Sequence, residues 1–111
     1  MLFSYRIDGY EAVKKDRILI EEKIAKLEKF DPRIGQSDPD AVKVHVNLFR
    51  GTRHESPNFG LKIQLTAPGL SLRAEASGKT IADAIDEIER KLRVQIDKSK
   101  STEFQEIRSE D

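Results

Sequence analysis

The stretch Leu61–Lys100, LKIQLTAPGLSLRAEASGKTIADAIDEIERKLRVQIDKSK, decides the fold. From Leu61 to Ala67 the apolar residues Leu61, Ile63, Leu65 and Ala67 alternate with Lys62, Gln64 and Thr66, the period of two of a half-buried strand. Leu70 to Ala76 repeats the pattern. Between them stands Ala67-Pro68-Gly69-Leu70, in which proline presets φ for the first central position of a turn and glycine accepts the positive φ that a type II turn requires at the second. The two strands therefore form a hairpin. After Gly78 the period becomes helical: Ile81, Ile85, Ile88, Leu92 and Ile96 recur at intervals of four, three, four and four and line one stripe of a single helix. Thr80, three residues before Asp83, caps its start.

Working outward, Ala41–Phe49 is the clearest remaining strand, with Val42, Val44, Val46 and Leu48 on one face and Lys43, His45, Asn47 and Phe49 on the other. Residues 50–60, RGTRHESPNFG, read as a hairpin loop. Leu2–Ile7 alternates more weakly and forms a first strand, with Phe3, Tyr5 and Ile7 on one side. Asp8-Gly9 turns the chain into a helix from about Tyr10 to Phe30, whose buried stripe is Val13, Ile20, Ile24 and Leu27, thickened by Ile18 and Leu19. On its polar side Glu22 precedes Lys26 by four, the favourable order for a helical ion pair. Asp31–Asp40, DPRIGQSDPD, ends that helix at a proline and reads as a surface loop. The expected class is α+β, in the order β-α-β-β-β-α, with a four-stranded sheet and both helices packed on one face. The other face, with Lys43, His45, Asn47, Lys62, Gln64 and Arg73, is expected to be open to water. Residues 1–100 form one domain, and 101–111, STEFQEIRSED, hold too few apolar residues to fold alone and read as a flexible acidic tail.

A chain of 111 residues suffices for one core. The absence of cysteine excludes disulfides and thiolate metal sites. No leader-like or membrane-length apolar run is present, so a soluble, cytoplasmic protein with no membrane partner is expected. With 20 basic and 20 acidic residues the net charge is zero, and any site for a polyanion must be a local patch. Residues 41–78 carry +3 and residues 101–111 carry −3. No glycine-rich phosphate loop, zinc-spaced ligand set or nucleophile elbow occurs. His45 on the polar side of a strand and His54 in a loop read as solvated residues, not general bases. The chain is therefore expected to be no enzyme, with no cofactor, metal or small-molecule substrate.

The strings RILIEEKIAKLEKF in the first helix and AIDEIERKLRVQIDKSK in the last resemble the ribosome hibernation-promoting factor family, which includes the ribosome-associated translation inhibitors. The resemblance spans about Leu2 to Lys100 and rests on Arg17, the run Lys26–Phe30, the Pro68-Gly69 turn and the AID, KL and Q-hydrophobe-x-K steps of the last helix. It implies a fold related to double-stranded RNA-binding domains, and a protein that occupies the tRNA and mRNA decoding region of the small ribosomal subunit and holds idle ribosomes inactive. It further implies rRNA contacts by Arg17, Lys23, Lys26 and Lys29 on the first helix and by Lys91, Lys98 and Lys100 on or just beyond the last. Lys91 and Lys98 are seven apart, two turns, so they point the same way about 10 Å from each other, a spacing suited to neighbouring phosphates. Arg50 and Arg53 in the hairpin loop extend the expected patch at one end. Val94 stands where the family commonly has a basic residue, with Arg93 one place earlier and turned about 100° around the helix. The entry to the last helix, Thr80-Ile81-Ala82-Asp83, is also shorter than is usual in the family. With no second domain after the tail, the chain resembles a short form, expected to be monomeric in solution. The alternative is a generic RNA- or protein-binding α+β module, because fold alone does not fix function.

Overall fold

The computed structural model describes residues 1–8, 14–50 and 59–109, with side chains as far as Ser99. Strand β1 (Leu2–Asp8) runs parallel to β2 (Lys43–Arg50), pairing Leu2 with Lys43 and Asp8 with Phe49. The crossover between them is carried by helix α1 (Lys14–Ala25). Strands β3 (Phe59–Ala67) and β4 (Leu70–Gly78) continue the sheet antiparallel, in the order β1-β2-β3-β4. Ala67 pairs with Leu70 across the turn, and Gly69 has φ +75°, the value a type II turn demands of its third residue and an L side chain resists. Helix α3 (Ile81–Ser109) then crosses back over β4 and β3. Thr80 Oγ1 accepts from Asp83 N at 3.1 Å and caps it. The expected β-α-β-β-β-α order and the two helices on one face are what the chain adopts.

The core lies between that face and the helices. Val44, Val46 and Leu48 of β2, Leu61, Ile63 and Leu65 of β3, and Leu72, Ala74 and Ala76 of β4 meet Ile20 and Ile24 of α1, Leu27 just beyond it, and Ile81, Ile85, Ile88, Leu92 and Ile96 of α3, all buried. Burying each large aliphatic side chain is worth about 1.5–3 kcal/mol, so the helix layer is fixed by this one apolar seam. Because the stripe positions are pinned, the directions of the polar positions on each helix are pinned too.

Several details depart from the sequence reading. The first helix ends as a 3-10 turn over Lys26–Lys29, and Ile18 faces outward at 44% exposure instead of thickening the core. Asp31–Asp40 is not simply a surface loop. It contains a short helix α2 (Pro32–Gly35) and a 3-10 turn (Pro39–Ala41), and it buries Asp31 and Ile34. Helix α3 continues to Ser109, past Lys100 where the sequence reading ends it. Val13, Arg53 and His54 lie outside the described residues.

As the outer strand of the sheet, β4 would show bare backbone along its free border. Helix α3 covers part of it. Gln95 Oε1 accepts from Arg73 N at 3.1 Å, its Nε2 donates to Arg73 O at 2.5 Å, and Lys91 Nζ donates to Glu75 O at 2.7 Å.

Candidate nucleic-acid interface

Charge is sorted along α3. Its first part carries Asp83, Asp86, Glu87 and Glu89, and the part that follows carries Arg90, Lys91, Arg93 and Lys98, with Asp97 among them. Asp83 in the first turn of α3 is also placed where the helix dipole favours a carboxylate. The basic part lies at the end of the molecule where the β3–β4 turn and the chain after α1 converge. Arg33 is the knot that holds them: its Nη1 donates to Gly69 O at 3.2 Å, and its Nη2 donates to Ser99 Oγ at 3.2 Å and to Asp31 Oδ2 at 2.7 Å. Asp31, only 2% exposed, also accepts from Arg33 N at 2.9 Å and caps α2. The α1 layer and the tip of the β-hairpin are thereby fixed against α3.

Beside that knot Phe30 collects two cations. The Arg93 guanidinium lies 4.3 Å from its ring centroid and Lys29 Nζ 5.8 Å from it, contacts worth about 0.5–1 kcal/mol each at exposed sites. A guanidinium stacked on a ring keeps its N–H edge outward, the geometry suited to a phosphate. Lys26, in the turn before Phe30, and Lys98, next to the Ser99 that Arg33 holds, are both exposed. Lys29 and Arg93 meet at Phe30 on the α1 flank of α3, whereas Lys98 stands on the β4 flank and lines a groove with Arg73, Arg90, Lys91 and Gln95; with exposed Lys26 they make a basic band across this end of the helix layer. Arg90, exposed on the α3 crest and 3.7 Å from Glu87, is a further cation that the reading from sequence passed over. The EIERKLR run was its only signal. In the sequence Phe30 marks only the end of the first helix, and its role as a platform depends on the 3-10 turn that brings it toward α3.

The remaining predicted residues stand elsewhere. Lys23 is half-buried and pairs with Asp86 at 2.9 Å; the hydrogen bond and charge of Asp86 push its pKa up. Lys91 points as Lys98 does, but toward β4, where Glu75 O and Glu87, 3.6 Å away, hold it. Lys91 and Arg93 are about 200° apart around the helix and flank α3 on opposite sides, with Val94 between them at 47% exposure. Arg17 stacks over the Tyr5 ring at 5.0 Å near the β1 border. Arg50 ends β2 about 25 Å from the Gly69 end, the length of that strand, so it does not join the group. Arg53 and the side chain of Lys100 lie outside the described residues. Among the described residues no three or more His, Cys, Asp or Glu side chains are placed to hold a metal ion, and no helix is long and apolar enough to cross a membrane.

Residues 5–103 match the family described as Sigma 54 modulation protein / S30EA ribosomal protein. The chain belongs to this family. A Lactococcus lactis relative, the ribosome hibernation promotion factor, is 31% identical over 99 residues, covering 89% of this chain and 49% of its own. The chain therefore spans about half the length of that curated relative. Two solved structures share the S30EA-family fold. A ribosomal subunit interface protein from Coxiella burnetii superposes with a TM-score of 0.69 at 19% identity, over 91% of this chain and 99% of the other. The N-terminal domain of Thermus thermophilus Protein Y gives 0.68 at 22% identity, over 86% and 96%.

Proposed function

We propose that this chain is a ribosome-binding translation inhibitor that docks on the rRNA of the small subunit and occupies the decoding region, where tRNA and mRNA would sit. The observation that carries the reading is the basic band at one end of the helix layer, with Lys29 and Arg93 meeting at Phe30 on one flank of α3, Lys98 on the other and Lys26 exposed before Phe30, in a protein whose total charge is zero. Family membership and the hibernation factor similar to it supply the ribosome as the polyanion. Inhibition requires only occupancy. The protein acts as a cytoplasmic, non-enzymatic monomer, with affinity supplied by phosphate contacts that position the domain without reading sequence. Residues 1–100 are the binding unit and residues 101–111 an appendage.

Co-sedimentation with 30S and 70S particles tests this. At low salt the protein pellets with the particles and added salt releases it; joint charge reversal at Lys26, Lys29, Arg93 and Lys98 abolishes pelleting and relieves inhibition of translation in vitro. Pelleting unaffected by the four reversals would remove the site. No pelleting of the unaltered protein at low salt would remove the function.

A further inference from the structure

The face of the sheet turned away from the helices has a chemistry of its own. In register across the strands run Ser4, His45, Gln64 and Arg73, and beside them Arg6, Asn47, Lys62 and Glu75. The rows are about 7 Å apart, and together they floor a concavity on the open sheet. Arg6 is paired with Asp8 at 3.3 Å, which leaves Lys43, Lys62 and Arg73 against Glu75 and gives this face positive charge on a neutral protein. Beyond the second row, Phe49 lies flat on the sheet. A Cβ on Gly60, its partner across the ladder, would fall 2.2 Å from the ring, so only glycine lets the ring lie there. Lys62 Nζ sits 5.7 Å from the ring centroid. Gln64 lies in the middle of the floor, its Oε1 accepting from Arg73 Nη2 at 3.3 Å.

We propose that this open face is a second RNA contact, which takes about two or three unpaired nucleotides of a single strand. A flat aromatic ring, an imidazole and side-chain amides offer stacking surfaces and hydrogen-bond partners for base edges, and Lys62 and Arg73 stand beside them for the phosphates. A duplex keeps its bases stacked inward and cannot lay them on Phe49 or His45. The face lies on the opposite side of the sheet from Lys29 and Arg93, so both surfaces can be occupied at once and either can fail without the other.

The test uses the full chain and labelled oligo(U) and oligo(A), with no ribosome present. Fluorescence anisotropy gives the affinity and amide chemical-shift mapping gives the face. Expected are salt-sensitive binding with shifts on β2, β3 and β4, a loss of about tenfold or more in Lys62→Glu/Arg73→Glu, a loss of about fivefold in Phe49→Leu, and the same sheet-face shifts persisting in Lys29→Glu/Arg93→Glu. Retained amide dispersion in each variant separates loss of binding from loss of fold. No binding at low salt overturns the proposal, as does binding lost in Lys29→Glu/Arg93→Glu and kept in Lys62→Glu/Arg73→Glu. A polyglutamate peptide that binds as tightly, indifferent to Phe49→Leu, would assign the face to an acidic protein and also overturn it. Failure of ribosome pelleting leaves these outcomes unaffected.

Discussion

The salt dependence of ribosome binding separates the cations that grip from those that hold the fold. Each phosphate neutralised by a side chain adds about 0.7–0.9 to the slope of log affinity against log salt. Lys26, Lys29, Arg93 and Lys98 are exposed, so four contacts give a slope near −3 and a loss of roughly 50- to 150-fold between ~50 and ~200 mM salt. Lys29→Ala/Arg93→Ala should flatten the slope by about 1.5 and leave a salt effect of roughly tenfold over the same range. Lys23→Ala/Lys91→Ala should flatten it by less than about 0.5, because Asp86 already pairs with Lys23 and Glu75 O with Lys91. The assay is pelleting with 30S particles across a salt series, with the slope, not a single affinity, as the readout. Equal flattening by the two double variants would refute the division between exposed and engaged cations. A slope untouched by loss of Lys29 and Arg93 would refute the site.

Three further outcomes follow from other features. Asp31→Ala strands the Arg33 guanidinium, itself only 23% exposed, and removes the cap of α2; urea unfolding should show a loss of about 2–4 kcal/mol, with Asp31→Asn losing less. Deleting residues 101–111 removes net −3, so ribosome affinity should stay constant or tighten, and a marked loss would show that this segment makes contacts of its own. Tyr5 is raised well above the ordinary phenol pKa, first by burial and then by the Glu21 carboxylate. Of the two tyrosines, one should therefore remain un-ionised in an absorbance titration through pH 10. Because the unfolded phenol ionises there and the folded one does not, this contribution to stability is complete below pH 10 and is lost above it, which alkaline unfolding curves would show.

The hairpin and the apolar seam of α3 were legible because their signals are strong and local: a Pro-Gly turn between alternating runs, and five aliphatic residues on one helical stripe. The segment after α1 was not. A helix of one turn has no period to detect, and the burial of Asp31 depends on Arg33 reaching across to Gly69 and Ser99, contacts between residues far apart in the chain. The site shows the same limit. Spacing put Lys91 and Lys98 on one side of α3, but it says nothing of which neighbour that side meets, and for Lys91 the neighbour is the β4 backbone. Arg93, one place before the apolar Val94, proved to be on the side toward Lys29 because packing of the stripe sets the rotation of the helix. Lys26 and Lys29 could be placed from sequence as helical cations; that Lys29 shares the Phe30 ring with Arg93 required the 3-10 turn.

The clasp of Gln95 and Lys91 on β4 also bears on how the protein meets itself at high concentration. The N–H and C=O of Arg73 and the C=O of Glu75 are already taken by α3, so an incoming strand would have to dislodge two side chains before it could extend the sheet there. Growth by strand addition is thereby steered to the border formed by β1, on the far side of the sheet, and that border is where a charge or a proline would best improve solubility.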